Sequence, residues 1–262
     1  GAANMVTGLA TAMMDSVPIV CITGQVPRPA IGSDAFQEMD ISGAVIPVTK
    51  HSYLVMDIKD LAKTIKEAFV IARSGRPGPV LVDIPKDLQA EEFDFIYPEE
   101  PIMLPGDNPI KNDIDVKSLE EAAKLIANAE RPVILAGHGI LLSGASKEVI
   151  ELSEKGDIPL SWTLLGSGAV PASHDLNMGM MGMHGEFAAN NAIQKADLLI
   201  ACGMRFDDRV TGNTKTYSLN SKKIHIEIDP SEINKNVPVD IALVGDLKTV
   251  LKALLPVLDK QN

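Results

Sequence analysis

Cysteine is nearly missing from this sequence: Cys21 and Cys202 are the only two in 262 residues. Two thiols cannot build a disulfide framework or a zinc site, and each closes an apolar run, so buried, reduced thiols of a cytoplasmic protein are expected. The five histidines are scattered, none with a partner at metal-ligand spacing, and no metal site is predicted. Long apolar runs are missing too. No stretch approaches the roughly 18 residues that a membrane span requires, so no membrane partner is expected. Positive charge is short, with 24 Lys and Arg against 35 Asp and Glu for a net charge of −11. Without a basic stripe, a nucleic acid would be repelled on approach, and any anionic ligand must be gripped locally. The opening Gly1-Ala2-Ala3-Asn4-Met5 has neither the basic start of a secretory signal nor an initiator methionine. It reads as the middle of a longer protein.

What remains is an ordinary globular composition, 45% hydrophobic and 23% charged, in a chain long enough for two cores. The periodicity predicts a helix over 4–14, then a buried strand Ile19-Val20-Cys21-Ile22-Thr23 that stops at Gly24. A Pro- and Gly-rich loop from Gln25 to Asp40 carries Phe36 and Gln37, and loops of that length are often functional. Val45–Thr49 reads as a strand followed by a polar cluster at Lys50-His51-Ser52-Tyr53. A helix is predicted from Asp60 with Leu61, Ile65, Ala68, Phe69 and Ala72 on its apolar face, then a strand over 80–84.

The prolines at 98, 101, 105 and 109 mark a linker over 98–112 between a first domain, 1–97, and a second, 113–262. In the second, helices over 118–129, 145–155 and 187–195 alternate with strands over 133–136, 197–201, 223–229 and 241–244, and Asp246 starts a last helix. Such alternation predicts α/β domains with parallel sheets, the second doubly wound and Rossmann-like.

The carboxyl ends of these strands carry the polar chemistry. Leu198-Leu199-Ile200-Ala201-Cys202 runs into Gly203, and Arg205, Asp207, Asp208 and Arg209 follow within six positions. Two arginines there can grip phosphate or diphosphate; the alternative is a solvated loop whose charges pair with each other. In an open parallel sheet Gly137-His138-Gly139, Thr163, Gly203 and Glu227 would converge on one crevice. Gly137-x-Gly139 lacks the third glycine of a dinucleotide fingerprint, because position 142 is Leu142, which disfavours a nicotinamide site. Met180-Met181-Gly182-Met183-His184-Gly185 is either core filler or a soft wall against a flat ring. Arg76, among the turn residues Ser74-Gly75 and Pro77-Gly78-Pro79, is a further candidate for a ligand-facing cation.

Five segments, Ile31–Glu38, Pro47–His51, Ser74–Asp87, Gly182–Gly185 and Gly203–Gly212, together resemble the catalytic large subunit of the acetolactate synthase (acetohydroxyacid synthase) family of thiamine-diphosphate enzymes. The resemblance runs in unbroken order to about residue 258. It implies that residues 1–97 are the latter part of a thiamine-pyrimidine-binding domain and 113–262 a central FAD-binding domain. The start of the first domain, with the glutamate that activates thiamine, and a third domain holding Mg2+ and the diphosphate have no counterpart, so the 262 residues alone are expected to be inactive.

The implied parent reaction joins pyruvate to a second 2-oxo acid, giving acetolactate or acetohydroxybutyrate in branched-chain amino acid biosynthesis. By this resemblance Gln37 lies near the reaction centre, Phe36 lines the substrate channel and Lys86 stands at its entrance. Arg76, Gly137, His138, Gly139, Thr163, Leu164, Met181, Gly182, Met183, His184, Gly203, Arg205, Asp207, Arg209, Glu227, Ile228 and Asp246 match positions around a structural FAD. A homodimer and a regulatory small subunit are implied partners. Two other readings stand beside it: a flavin-containing relative such as pyruvate oxidase or glyoxylate carboligase, and a flavin-binding module without catalysis.

Overall fold

The computed structural model describes residues 1–103 and 114–258. The chain divides into two compact units, Gly1–Asn108 and Pro109–Asn262. Of the expected linker, residues 104–112 lie outside the described part.

In the first unit, α1 (Val6–Asp15), β1 (Val20–Gln25), the one-turn α2 (Ile41–Ala44), β2 (His51–Leu54), α3 (Ile58–Arg73) and β3 (Val80–Pro85) follow in order. The three strands form a parallel sheet in the order β1-β3-β2. Every residue of the central β3 is buried, which its unbroken apolar start Val80-Leu81-Val82 requires of a strand covered on both faces. Alternation sends Leu81 to one face, against Leu9, Ile41 and Val45, and Val80 and Val82 to the other, against Ile58, Ala68 and Ala72. The Asp57 carboxylate accepts the Lys59 amide at 2.9 Å and caps α3, and Lys50 Nζ donates to the Ile71 and Ser74 carbonyls at its far end.

Several expectations need correcting here. Val45–Thr49 is not a strand: Ile46–Val48 forms a 3-10 turn with Pro47 at its start, and Val45 is fully buried with Leu9, Ile41 and Leu81. The strand is His51–Leu54, whose polar residues suit the sheet edge it occupies. The helix begins at Ile58 rather than Asp60 because Asp57 supplies the cap. Phe69 is 55% exposed and lies off the buried face.

The second unit contains α4 (Val116–Asn128), β4 (Pro132–Ala136), α5 (Gly139–Ser143), α6 (Ser146–Gly156), β5 (Leu160–Trp162), β6 (Asn177–Met180), α7 (Phe187–Lys195), β7 (Leu198–Cys202), α8 (Asp208–Thr211), β8 (Lys222–Glu227), β9 (Ile241–Val244) and α9 (Leu247–Leu258). All six strands are parallel, in the order β6-β5-β4-β7-β8-β9. Numbered within the unit this is 3-2-1-4-5-6, the doubly wound order of Rossmann domains.

The sheet carries a core on each face, and β4 and β7 feed both. Ile134, Ala136, Ile200, Cys202, Ile224 and Ile226 pack with α4, α6 and α9, while Val133, Leu135, Leu199 and Ala201 pack with Ile193 of α7, Met204, Phe206 and Tyr217. Full burial of a Leu or Ile side chain contributes about 1.5–3 kcal/mol, so these two layers are what hold the sheet edge in place. Both cysteines are buried and free, as their sequence positions predict. No helix among the described residues is long and apolar enough to cross a membrane.

Candidate functional site

The direction of winding reverses between β4 and β7, and in such sheets the crevice for a ligand lies outside the carboxyl ends of the strands at that point. Its floor is made of main chain. The Gly137 amide donates to the Cys202 carbonyl at 2.9 Å and the Gly139 amide to the Gly203 carbonyl at 3.0 Å. A Cβ on Gly137 would stand 2.1 Å from the Gly203 oxygen, and one on Gly139 would stand 2.7 Å from the Gly203 Cα. Gly203 itself has φ +61°. Only glycine allows two strand-end turns to approach this closely.

The walls come from the neighbouring strand ends. After β5, Thr163 Oγ1 accepts the Gly166 amide at 3.1 Å, and Leu164 is 73% exposed. After β6, Asn190 of α7 both accepts from the Gly182 amide and donates to its carbonyl, each at 2.9 Å. Met181 is buried in the core, whereas Met183 is 59% exposed and His184 is also exposed. Of the two readings of the methionine cluster, core filler describes Met181. The Met183 amide donates to the Arg209 carbonyl at 2.8 Å, tying this turn to the one after β7.

In that last turn the Arg205 side chain is 27% exposed, with Asp207 4.0 Å away, and the Arg209 side chain is 71% exposed beside Asp208 at 3.7 Å. Arg205 is sheltered and weakly paired; Arg209 reaches mainly into solvent. Asp207 Oδ1 accepts the Arg209 and Val210 amides, so it caps α8. Asp246 likewise accepts the Thr249 amide at 2.9 Å at the start of α9. His138 and Ile228 are half-buried. The Glu227 carboxylate is buried and accepts the Ile228 and Asp229 amides at 2.9 and 3.2 Å.

Sequence reasoning passed over His225, which is fully buried in β8 between Ile224 and Ile226. Its Nε2 lies 2.7 Å from the Met204 carbonyl and 3.9 Å from Glu227 Oε2, and its ring packs edge-on against Phe206 at 5.1 Å. Burial lowers its pKa more than the Met204 carbonyl and Glu232 raise it. In the sequence His225 is one of the alternating polar positions of Lys223-Ile224-His225-Ile226-Glu227, and nothing local sets it apart. Burial pushes the Cys202 thiol up to about 12.

The remaining candidates belong to the first unit. Phe36 is 89% exposed on the loop after β1, and Gln37 beside it has φ +65°. Asp34 also has positive φ, and the Glu38 carboxylate accepts the Gly32 and Ala35 amides, holding the loop in this conformation and its own pKa low. Lys86 is exposed just past β3, its amide donating to the Gln25 carbonyl at 3.0 Å. Because β1 and β3 are parallel, the loop that carries Phe36 and Gln37 and the turn that carries Lys86 both leave the sheet at its carboxyl end.

One further residue ties the loops after β1 and β3 together. Arg28 donates from Nε to Asp87 at 2.7 Å, while its amide donates to the same carboxylate at 2.9 Å. Arg76 hydrogen-bonds Ser16 Oγ at 2.9 Å within the first unit. Among the described residues no group of three or more His, Cys, Asp or Glu side chains is arranged to hold a metal ion.

Comparison with known proteins gives this geometry a lineage. Residues 119–254 match the family model of the thiamine pyrophosphate enzyme central domain, and residues 1–44 match that of the N-terminal TPP binding domain. A probable acetolactate synthase large subunit of Methanocaldococcus jannaschii is 50% identical over 98% of this chain and 44% of its own length. The acetolactate synthase large subunit of Corynebacterium glutamicum is 49% identical over 97% and 40%, and that of Mycobacterium tuberculosis 50% over 98% and 41%. The chain therefore spans less than half the length of these relatives. The central-domain match alone covers half of the residues, and with it the chain belongs to the thiamine pyrophosphate enzyme family.

Proposed function

We propose that the strand-end crevice of the second unit holds FAD, and that the chain is part of an acetolactate synthase large subunit. One observation carries the first half: at the reversal point of a 3-2-1-4-5-6 sheet, a floor free of side chains lies beside the sheltered Arg205 and the exposed apolar Leu164 and Met183. That donor set fits a ligand with an anionic linker and a flat apolar ring. Arg205 would hold the diphosphate, with Arg209 folding in from solvent. Gly137, His138, Gly139 and Gly203 would present main chain to it, and Thr163, Leu164, Gly182, Met183 and His184 would border the ring. Met181 supports that border from the core, and Asp207 fixes the turn that carries both arginines. Glu227, Ile228 and Asp246 would border the ribose. Bound there, the flavin would supply packing surface and no electron transfer in the main reaction.

The second half rests on relatives at about half identity that are named acetolactate synthase large subunits. In the complete enzyme, thiamine diphosphate and Mg2+ would serve the condensation of pyruvate with pyruvate or 2-oxobutanoate. Gln37, Phe36 and Lys86 would orient the 2-oxo acid and keep water from it. The residues described here do not fit a Mg2+ site, so none is assigned to this chain. A homodimer, a regulatory small subunit and a cytoplasmic setting belong to the same proposal.

Titration of the purified chain with FAD, followed by quenching of flavin fluorescence, tests the crevice. Saturable binding that weakens in Arg205→Ala is expected, and material that ignores added FAD would overturn the assignment. Acetolactate formation by the chain alone is expected to stay at background.

A further inference from the structure

The turn that carries Arg205 is tied down at successive carbonyls. Gly203 O accepts from the Gly139 amide, Met204 O from His225 Nε2 at 2.7 Å, and Phe206 O from Asn236 Nδ2 at 3.2 Å. Of these ties, His225 is the one that rises from within the sheet. It is the central residue of Ile224-His225-Ile226 in β8, with no exposed surface, on the face opposite its two isoleucine neighbours. A carbonyl can only accept, so Nε2 carries a proton, and burial, which lowers the pKa, favours the neutral ring. Nδ1 has no hydrogen-bond partner among the described residues.

A polar ring placed in an apolar layer costs stability unless its bonds serve something. What it serves here is an unusual backbone. Phe206 is a non-glycine residue at φ +51°, its ring buried between His225 at 5.1 Å and Tyr217 at 6.2 Å. The left-handed residue Phe206 follows Arg205 directly, so its backbone sets how the chain leaves that arginine, whose side chain is 27% exposed. Without the imidazole N–H, the Met204 carbonyl would lose this donor beside an apolar core, and the chain would gain by rotating it away.

We propose that His225 is a positioning residue of the crevice: its Nε2–H fixes the Met204 carbonyl, which sets the Met204–Phe206 turn and with it the direction of Arg205. Its effect on ligand rests on the reading of that crevice as a flavin site; its effect on the turn does not. His225 contacts the loop and acts on the ligand through Arg205.

Two readouts on the intact 262-residue chain separate these. His225→Phe keeps a flat ring and removes the donor, while His225→Gln restores an N–H at similar reach. With FAD as probe, H225F is expected to bind about 10-fold or more weakly, the loss of a hydrogen bond that orients a charged group, and H225Q to recover most of that. In parallel, amide hydrogen exchange over 203–207 without ligand is expected to speed up in H225F and return toward wild type in H225Q. Should H225F fail to fold, H225N, polar but too short to reach the carbonyl, replaces it in both assays. FAD affinity within twofold of wild type together with unchanged exchange would overturn the proposal. If the wild-type chain itself binds no FAD, the flavin reading fails and exchange alone decides: faster exchange supports the positioning role, and unchanged exchange refutes it.

Discussion

Replacing Gly137 by alanine tests whether the crevice floor is as tight as its geometry indicates. The added methyl would stand 2.1 Å from the Gly203 carbonyl oxygen and 2.6 Å from the Met204 Cβ. Ordinary carbon–oxygen contacts need about 3.3 Å, so the two turns must separate by about 1 Å. Neither partner can rotate out of the way, because one is main chain and the other sits in a buried turn. Overpacking of this kind costs about 1–3 kcal/mol, and a backbone clash belongs at the upper end. For a unit of this size that is a fall in Tm of roughly 5–10 °C.

The single tryptophan, Trp162, ends β5 in the same unit, so its fluorescence during a thermal scan reports on this unit and not on the other. Separation of the turns also moves Arg205 away from any bound phosphate, and FAD affinity is expected to fall with stability. A Tm within 2 °C of wild type and unchanged FAD binding would show that the two turns give way freely, and the account of the floor would be wrong.

Other perturbations follow from the same geometry. Arg205→Ala should weaken FAD binding by roughly 10- to 100-fold, the worth of a charge-assisted hydrogen bond, and Arg209→Ala by less, since that side chain is 71% exposed; calorimetric titration ranks them. Because burial lowers the His225 pKa, the unfolded chain binds the extra proton first, and stability of the second unit should fall as pH drops below about 6.5. Urea unfolding followed by Trp162 fluorescence at pH 5.5 and 7.5 measures this, and H225Q should flatten the difference. Gly8→Ala, an exposed position inside α1 where a Cβ meets nothing, should stabilise the first unit by about 0.5–1 kcal/mol in chemical denaturation. Neither cysteine should react with a thiol reagent before unfolding, Cys202 least of all with its pKa near 12.

The strongly periodic elements were readable in advance. The helix Phe187–Lys195 and the strand Ile241–Val244 fall where their patterns put them, because amphipathic spacing and burial agree there. Two of the edge strands were not readable, although β1 and β9, edges as well, were. His51–Leu54 and Asn177–Met180 pair on one side only, so polar residues and Gly179 are tolerated and no apolar run announces them. The five-residue α5 was hidden for a different reason: it begins at Gly139, a residue chosen for loop contact rather than helix propensity.

The strand-end glycines and Arg205 were picked out from the sequence because charge just after a buried strand is unusual. His225, Asn190 and Arg28 were missed because each acts through a distant main-chain or side-chain partner that no local spacing reveals.

A crevice floor built from the main chain of three glycines has a consequence for how it can be altered. The meeting of Gly137, Gly139 and Gly203 leaves nothing there to mutate without forcing the strands apart. With FAD there as proposed, preference for one ligand over another would be written on the rim, at positions such as Leu164, Met183 and Arg205. Retuning this domain toward a new ligand would mean rewriting those few rim residues and leaving the glycines untouched.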